Sequence, residues 1–486
     1  MNKGMFTFIL TMFLLLSGTA VAAENKEDNW ENESIYYIMI DRFNNGDTTN
    51  DFTVDSSDPT AYHGGDFKGV ELQLDYIKKM GFTTIALSPI FANQEKGYQG
   101  YWVNNFKKTE EHFGTLKQFK SLVKEAHKRD LKVMIEFAPN TAGTDHPFLK
   151  EADKKDWFTS NQSGQPLLNL GNSDVQDYLV EVGDWWIAET DIDGYVLDQS
   201  QPNTTEFWNN FSKEIKQSNP SVFLLSDNTA LDGEETEIDG IADYQGNQVL
   251  RKGFAKPDAP LADMIPILEK NQQISSQKVV ANFMDNLRMN RFTHEAVVNN
   301  LHPGSRWKLA LTCLYTAPGV PVVYYGSEIA LEGNASDHKQ MDFRTDQDLV
   351  DYITKLGELR NKIPALTKGT FEPLYAEGGM IVYKREYEGE IAVIAINNTS
   401  KTQNITIEAD KIAEDMQLQG LLMDDQAKAK DGKYKLIVDR DEAEIYMVTE
   451  KSGLNIPYIV VMGIVYLLFT VFIIMLLKRR KRKATE

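Results

Sequence analysis

The chain has 486 residues, 25% of them charged, with 51 Lys and Arg against 71 Asp and Glu for a formal net charge of −20. That length holds one large core domain plus a smaller one, and so acidic a body argues against nucleic acid or an anionic membrane surface as its partner. The single cysteine, Cys313, lies in the apolar run Leu309 to Tyr315, which excludes an intrachain disulfide and reads as a buried core thiol.

In chain order, Lys3 precedes the apolar run Met5 to Leu16, and Ala20 and Ala22 follow, so residues 1–22 read as a secretory signal peptide. β-Rich runs then alternate with helical stretches. Strands are predicted at Ile35 to Ile40, Thr83 to Ser88, Leu131 to Phe137, Gly194 to Asp198, Val222 to Ser226, Gly240 to Asp243, Val279 to Phe283 and Pro321 to Tyr325. Amphipathic stretches at Leu72 to Met80 and Phe119 to Lys128 are predicted helices. Eight strands separated by helix-length gaps define a (β/α)8 TIM barrel over residues 23–365. A polar, turn-rich stretch at 138–172 reads as a short insertion domain after the third strand. From about Phe371 the strands follow one another without helices, giving a C-terminal antiparallel β domain over 366–450. Ile456 to Leu477 carries no charge and is long enough to cross a hydrocarbon core of roughly 30 Å. With the basic run Lys478 to Lys483 after it, it predicts a single-pass cell-membrane protein, its body extracytoplasmic and its tail, 478–486, cytoplasmic.

Reactive groups of such a barrel sit after the C-terminal ends of its strands. Four segments there stand out: Val133 to Asn140 with Glu136, Gly194 to Asp198, Phe223 to Asp227, and Asn282 to Arg288 with Asp285 and Asn286. With Asp41-Arg-Phe, Tyr62-His-Gly-Gly-Asp66, Tyr98-Gln-Gly-Tyr101-Trp102, His112-Phe-Gly-Thr115 and Tyr324-Tyr-Gly-Ser-Glu328, they resemble the α-amylase family, glycoside hydrolase family 13, over roughly residues 35 to 360. The resemblance implies a retaining α-glucosidic hydrolase, which needs two carboxyl groups about 5–5.5 Å apart as nucleophile and proton donor. It assigns these catalytic roles to Asp198 and Asp227, and substrate binding to Tyr101, the aromatic platform, and Asn286. The implied ligand is an α-1,4-glucan or maltooligosaccharide.

Several positions depart from the family pattern. Asp227 stands where the family has glutamate, Arg288 where it has a carboxylate, Leu287 for a histidine, Val196 for an arginine, Gln99 for a histidine, Glu136 for an aspartate, Thr141 for a histidine, and Gln201-Pro202 for a Lys-His pair. A guanidinium at 288 opposes the positive charge of an oxocarbenium-like transition state unless a carboxylate pairs with it, and Arg288 is placed to pair with Asp198. Catalysis is therefore expected to be weak or lost. Three functions remain open: an α-glucan hydrolase or transferase with an unusual site, a catalytically silent glycan-binding domain, and a scaffold that binds a protein partner. Trp102, Trp185, Trp186 and Trp208 are expected in the core.

The loop carrying Asn45, Asp47, Asn50 and Asp51, followed by Gly64 and Asp66, resembles the N-terminal calcium loop of cyclodextrin glucanotransferases. Carboxylates, amides and a turn carbonyl suit one hard Ca2+ ion. A second calcium near the insertion lacks an expected aspartate, because Leu167 stands in its place.

Overall fold

The computed structural model describes residues 29–161, 164–199, 204–227, 237–345, 347–451 and 456–483. The proposed signal peptide and Gln201-Pro202 lie outside them. Eight parallel strands close into a barrel: β1 (Ile35–Ile38), β2 (Thr84–Leu87), β3 (Lys132–Phe137), β4 (Gly194–Leu197), β5 (Phe223–Ser226), β6 (Gly240–Ala242), β7 (Val279–Phe283) and β8 (Val320–Tyr324). β1 closes the ring by pairing Ile35 with Val322 of β8 on one side and with Thr84 of β2 on the other.

The two-residue period of a strand sorts its side chains. Outward residues such as Tyr36, Ile38, Ile85, Val133, Ile135, Tyr195, Leu197 and Leu224 pack under the helices in the main apolar core. Inward residues Ile35, Ala86, Met134, Val196, Leu225, Ala281 and Val320 form a separate core along the barrel axis, which Trp30 closes from below by stacking on Phe223 at 4.0 Å. The same period carries the inward row one step further at the C-terminal ends: Met134 to Glu136, Val196 to Asp198, Leu225 to Asp227. That is what brings three carboxylates to the barrel mouth.

The helices begin where their sequence says they should. Thr115 and Gln118 form a capping box at Leu116–His127, and Asn172 caps Ser173–Thr190, which ends at left-handed Asp191. The helix predicted over 72–80 is divided into Phe67–Leu72 and Leu74–Lys79 around Gln73, because Asp66 starts a helix earlier by accepting the Gly69 N–H. After β3 the chain makes two 3-10 segments and a small hairpin, Phe158–Ser160 with Pro166–Leu168.

The C-terminal domain contains β9 (Thr370–Glu377), β10 (Met380–Tyr387), β11 (Glu390–Asn397), β12 (Gln403–Glu408), β13 (Met416–Gly420), β14 (Gln426–Lys428), β15 (Lys433–Val438) and β16 (Glu442–Glu450). Six of them form one sheet in the order β9-β10-β11-β16-β13-β14, and β12 pairs with β15. The sheet has two apolar faces: Ile381, Tyr383, Ile394, Ile396 and Ile445 join the barrel's core, whereas Val382, Val393, Leu418 and Tyr446 pack toward Leu436 and Tyr434 of β15.

The membrane assignment is corrected. Among the described residues no helix is long and apolar enough to cross a membrane. The C-terminal helix runs Ile456–Lys483. The single-pass topology expected from the uncharged run at 456–477 is accordingly withdrawn, together with the membrane as partner.

Candidate active site

Arg288, from the loop after β7, reaches across the barrel mouth to all three carboxylates. Its Nη2 lies 2.9 Å from Asp198 Oδ1 and 3.1 Å from Glu136 Oε1, and its Nη1 pairs with Asp227 Oδ2. One oxygen from each acid can be chosen so that all three lie within 4.8 Å of one another. Without a counter-charge such a cluster would not stay fully ionised. Burial works against the guanidinium, but Tyr101, Asp227, Glu136 and Asp198 hold its pKa well above the ordinary arginine value.

Each acid has further partners. Asp198 accepts from Asn140 Nδ2 at 2.8 Å. Asp227 accepts from the Tyr244 hydroxyl at 2.7 Å, and burial raises its pKa against the opposing pull of Arg288. Glu136 is 1% exposed and accepts from the hydroxyls of Tyr101, at 2.6 Å, and Tyr37. Burial pushes its pKa up to about 7, partly offset by Arg288.

The two residues expected to bind substrate are both engaged by this network. The Tyr101 hydroxyl is committed to Glu136, and the Arg288 guanidinium carbon stands 5.7 Å from its ring centroid. Asn286 donates to the Tyr244 hydroxyl at 3.1 Å and accepts the Arg288 backbone N–H at 2.9 Å, so it shapes the loop that delivers the arginine. Asp285 points elsewhere, accepting from Arg251 at 3.0 Å and from the Phe292 N–H at 2.7 Å. Below Arg288 a cavity of about 50 Å³ opens into the barrel axis, lined by Tyr37, Ala86, Val196, Leu225 and Phe283 among others. Sequence reading gave Glu136 no role beyond its departure from the family pattern, and passed over Tyr37 and Tyr244. The inward phase of Ile35 and Tyr37 in β1, and the position of Tyr244 just after β6, were the available signals.

Other expectations fall on both sides. Cys313 is fully buried, and burial pushes its thiol up to about 12. Trp186 and Trp208 are in the core, but Trp102 is 38% exposed beside Tyr101. Its alternation partner Val103 takes the buried position instead.

The proposed calcium loop folds onto itself. Asn45 Nδ2 donates to Asp51 Oδ1 at 2.9 Å, whereas Asn45 Oδ1 and Asn50 Oδ1 are buried with no hydrogen-bond partner. Gly64 has φ +91°, and a Cβ there would stand 2.6 Å from Asn45 Nδ2 and 2.9 Å from Asp51 Oδ1. Buried amide oxygens lacking donors, next to a carboxylate, fit a hard cation. The other two carboxylates are less available. Asp66 accepts the N–H groups of Gly46, Asp47 and Gly69, and Asp47 accepts from Thr49 and Gln118.

A closed parallel barrel with carboxylates after β3, β4 and β5, carrying an antiparallel β domain at its C-terminus, has the layout of a glycoside hydrolase. The chain belongs to the α-amylase family: the model of the α-amylase catalytic domain matches residues 37–164 and 153–365, and that of the α-amylase C-terminal domain matches 369–446. It is 45% identical to an Anoxybacillus α-amylase of known structure, with a TM-score of 0.84 over 88% of this chain and 100% of that one. It is 41% identical to the Geobacillus thermoleovorans α-amylase solved with acarbose, with a TM-score of 0.82 over 88% and 100% of the two chains. The Paenibacillus polymyxa β/α-amylase is 28% identical over 467 residues, 88% of this chain but 39% of that protein, so the chain spans about two fifths of that relative's length.

Proposed function

We propose that this protein acts on or binds α-1,4-glucans or maltooligosaccharides, with turnover far below that of an ordinary α-amylase because Arg288 occupies its catalytic carboxylates. The observation that carries this reading is the guanidinium 2.9 Å from Asp198 and paired with Asp227. Asp198 is proposed as the nucleophile and Asp227 as the proton donor. A nucleophile and a proton donor that both pair with one guanidinium have their oxygens engaged rather than free to meet a sugar. Positive charge fixed beside the reacting carbon opposes the charge that builds in the transition state, and electrostatic stabilisation is commonly the largest catalytic contribution.

Turnover of a linear α-1,4-glucan by the full-length protein is expected on the order of 1,000-fold below an ordinary amylase, with glucan binding measured separately by calorimetry. Ordinary turnover that disappears in Asp198→Asn would refute the occupied-site reading. Absence of both turnover and binding at millimolar maltooligosaccharide would refute the carbohydrate reading altogether and leave a protein-binding scaffold. We further propose one Ca2+ site formed by Asn45, Asp47, Asn50, Asp51, Gly64 and Asp66. It is supported by the two donor-less amide oxygens and by the close approach of Asn45 and Asp51 to Gly64, which leaves no room for a Cβ.

A further inference from the structure

A cleft of about 720 Å³ lies at the end of the barrel opposite the carboxylates. Its walls come from the residues that lead into the strands, Glu33, Thr83, Lys132 and Asp193, and from the segment that joins the barrel to the C-terminal domain, Arg360 to Lys368. In a chain of net charge −20 this cleft is lined by more cations than anions: Lys78, Lys132, Arg360, Lys362 and Lys368 against Glu33, Asp130 and Asp193. Two of those acids are engaged locally. Glu33 is taken by Lys132 at 3.3 Å and by the Thr84 hydroxyl at 2.8 Å, and Asp193 by His127 at 2.9 Å and the Val133 N–H at 2.7 Å.

Arg360 is the unusual member. It is 1% exposed, and its four terminal donors are spent on the carbonyls of Tyr315, Leu366, Glu31 and Gly319. Its fifth donor, Nε–H, is buried and has no partner. No carboxylate pairs with Arg360 among the described residues. Burial, reinforced by Arg385 nearby, brings its pKa down to about 9. Arg385 is equally buried, donates to the carbonyls of Thr316 and Gly369 at 2.6 and 2.8 Å, and lines an adjoining cleft that shares Thr367 and Lys368. Lys368 also has no carboxylate partner among the described residues; its ammonium stands 5.9 Å from the Tyr387 ring centroid. Two buried guanidinium groups without carboxylate partners are costly in a folded protein, and an oxyanion close by offsets part of that cost.

We propose that this cleft binds a small tetrahedral oxyanion of the phosphate or sulfate type, held by the Lys368 ammonium and drawn by the buried charge of Arg360 behind it. The anion would neutralise the hinge between barrel and C-terminal domain, on the opposite face from the sugar groove.

The test is the melting temperature of the full-length protein in sulfate, in phosphate and in a hexose phosphate, each against chloride at equal ionic strength. Sulfate and phosphate stabilise proteins generally through exclusion from their surfaces, so the decisive comparison is with Lys368→Ala and Lys368→Glu, at an exposed position whose ammonium makes no ion pair among the described residues, so folding in chloride stays intact. Wild type should gain several degrees over chloride in at least one arm, and the variants half of that or less. Gain with inorganic anions alone assigns a free anion, and gain with the hexose phosphate at lower concentration assigns an esterified one. An equal rise in wild type and both variants, or no rise over chloride in any arm, overturns the proposal.

Discussion

At the scale of single residues, Glu136 and Arg288 make stability depend on pH in a direction the geometry fixes. Burial raises the folded pKa of Glu136 to about 7 from the ordinary glutamate value of 4.5. Between those values the folded state holds a proton that the unfolded state has released, so stability falls as pH rises from about 4.5 to about 7 and then levels off. Glu136→Gln removes that slope, and urea midpoints at pH 5 and pH 8 should lie closer together in the variant than in wild type. Arg288→Ala acts oppositely: it leaves three facing carboxylates uncompensated. The loss should be on the order of 2 kcal/mol at pH 8, below the about 3–5 kcal/mol of a fully buried pair because the Arg288 side chain is 30% exposed. At pH 5 it should shrink as the acids protonate. A loss independent of pH would contradict the charge account.

At the scale of elements, the calcium loop shows that one residue can serve two structures. Asp66 was read only as a metal ligand, yet it caps Phe67–Leu72 and accepts two further N–H groups from the turn at Gly46 and Asp47. Asp66→Ala should therefore cost about 1 kcal/mol through the lost cap alone, even in EDTA. Calcium itself is tested separately. The melting temperature should fall on adding EDTA and recover with excess Ca2+, and Gly64→Ala should abolish that recovery, because its Cβ would meet Asn45 and Asp51. A melting curve indifferent to both EDTA and Ca2+ removes the metal.

The elements also show what the sequence made legible. The eight barrel strands are where their β-rich runs put them, within two residues, because parallel strands buried on both faces are nearly continuous apolar runs. β9, β13, β14 and β15 were not foreseen; Met416-Gln-Leu-Gln-Gly and Gln426-Ala-Lys, for instance, have polar residues on one face and are too short to separate from loop. The site was legible as positions and not as contacts. That Asp198 and Asp227 end their strands follows from alternation along one chain. That Arg288 reaches Glu136, 152 residues away, depends on how the barrel closes, which no local pattern encodes.

At the scale of the molecule, barrel and β domain are joined by more than the chain. The sheet shares one apolar core with the barrel helices, and buried Arg306 of Pro303–Thr316 pairs with Asn398 and Asp441 of the β domain. Asn398 in turn donates to Gly253 O at 2.9 Å. The two should unfold in one transition by calorimetry, and Arg306→Ala should lower its midpoint by several degrees, because Asn398 Oδ1 and the Asp441 carboxylate both lose their donor. Two resolved transitions in the wild-type protein would show the domains to be independent.

The arginine across the barrel mouth also restricts the routes by which this sequence can change. Restoring a carboxylate at 288 alone would set four acids around one point with no cation among them, so Arg288→Asp should be the least stable of the single variants at pH 8. If a guanidinium is first supplied from below, by Val196→Arg filling the cavity of about 50 Å³, the same second change becomes tolerable. The two substitutions are then strongly non-additive, and one order of events passes through a folded intermediate while the other does not. Position 288 is thus gated by position 196: a carboxylate at the barrel mouth is tolerated only after a guanidinium has been placed in the cavity beneath it.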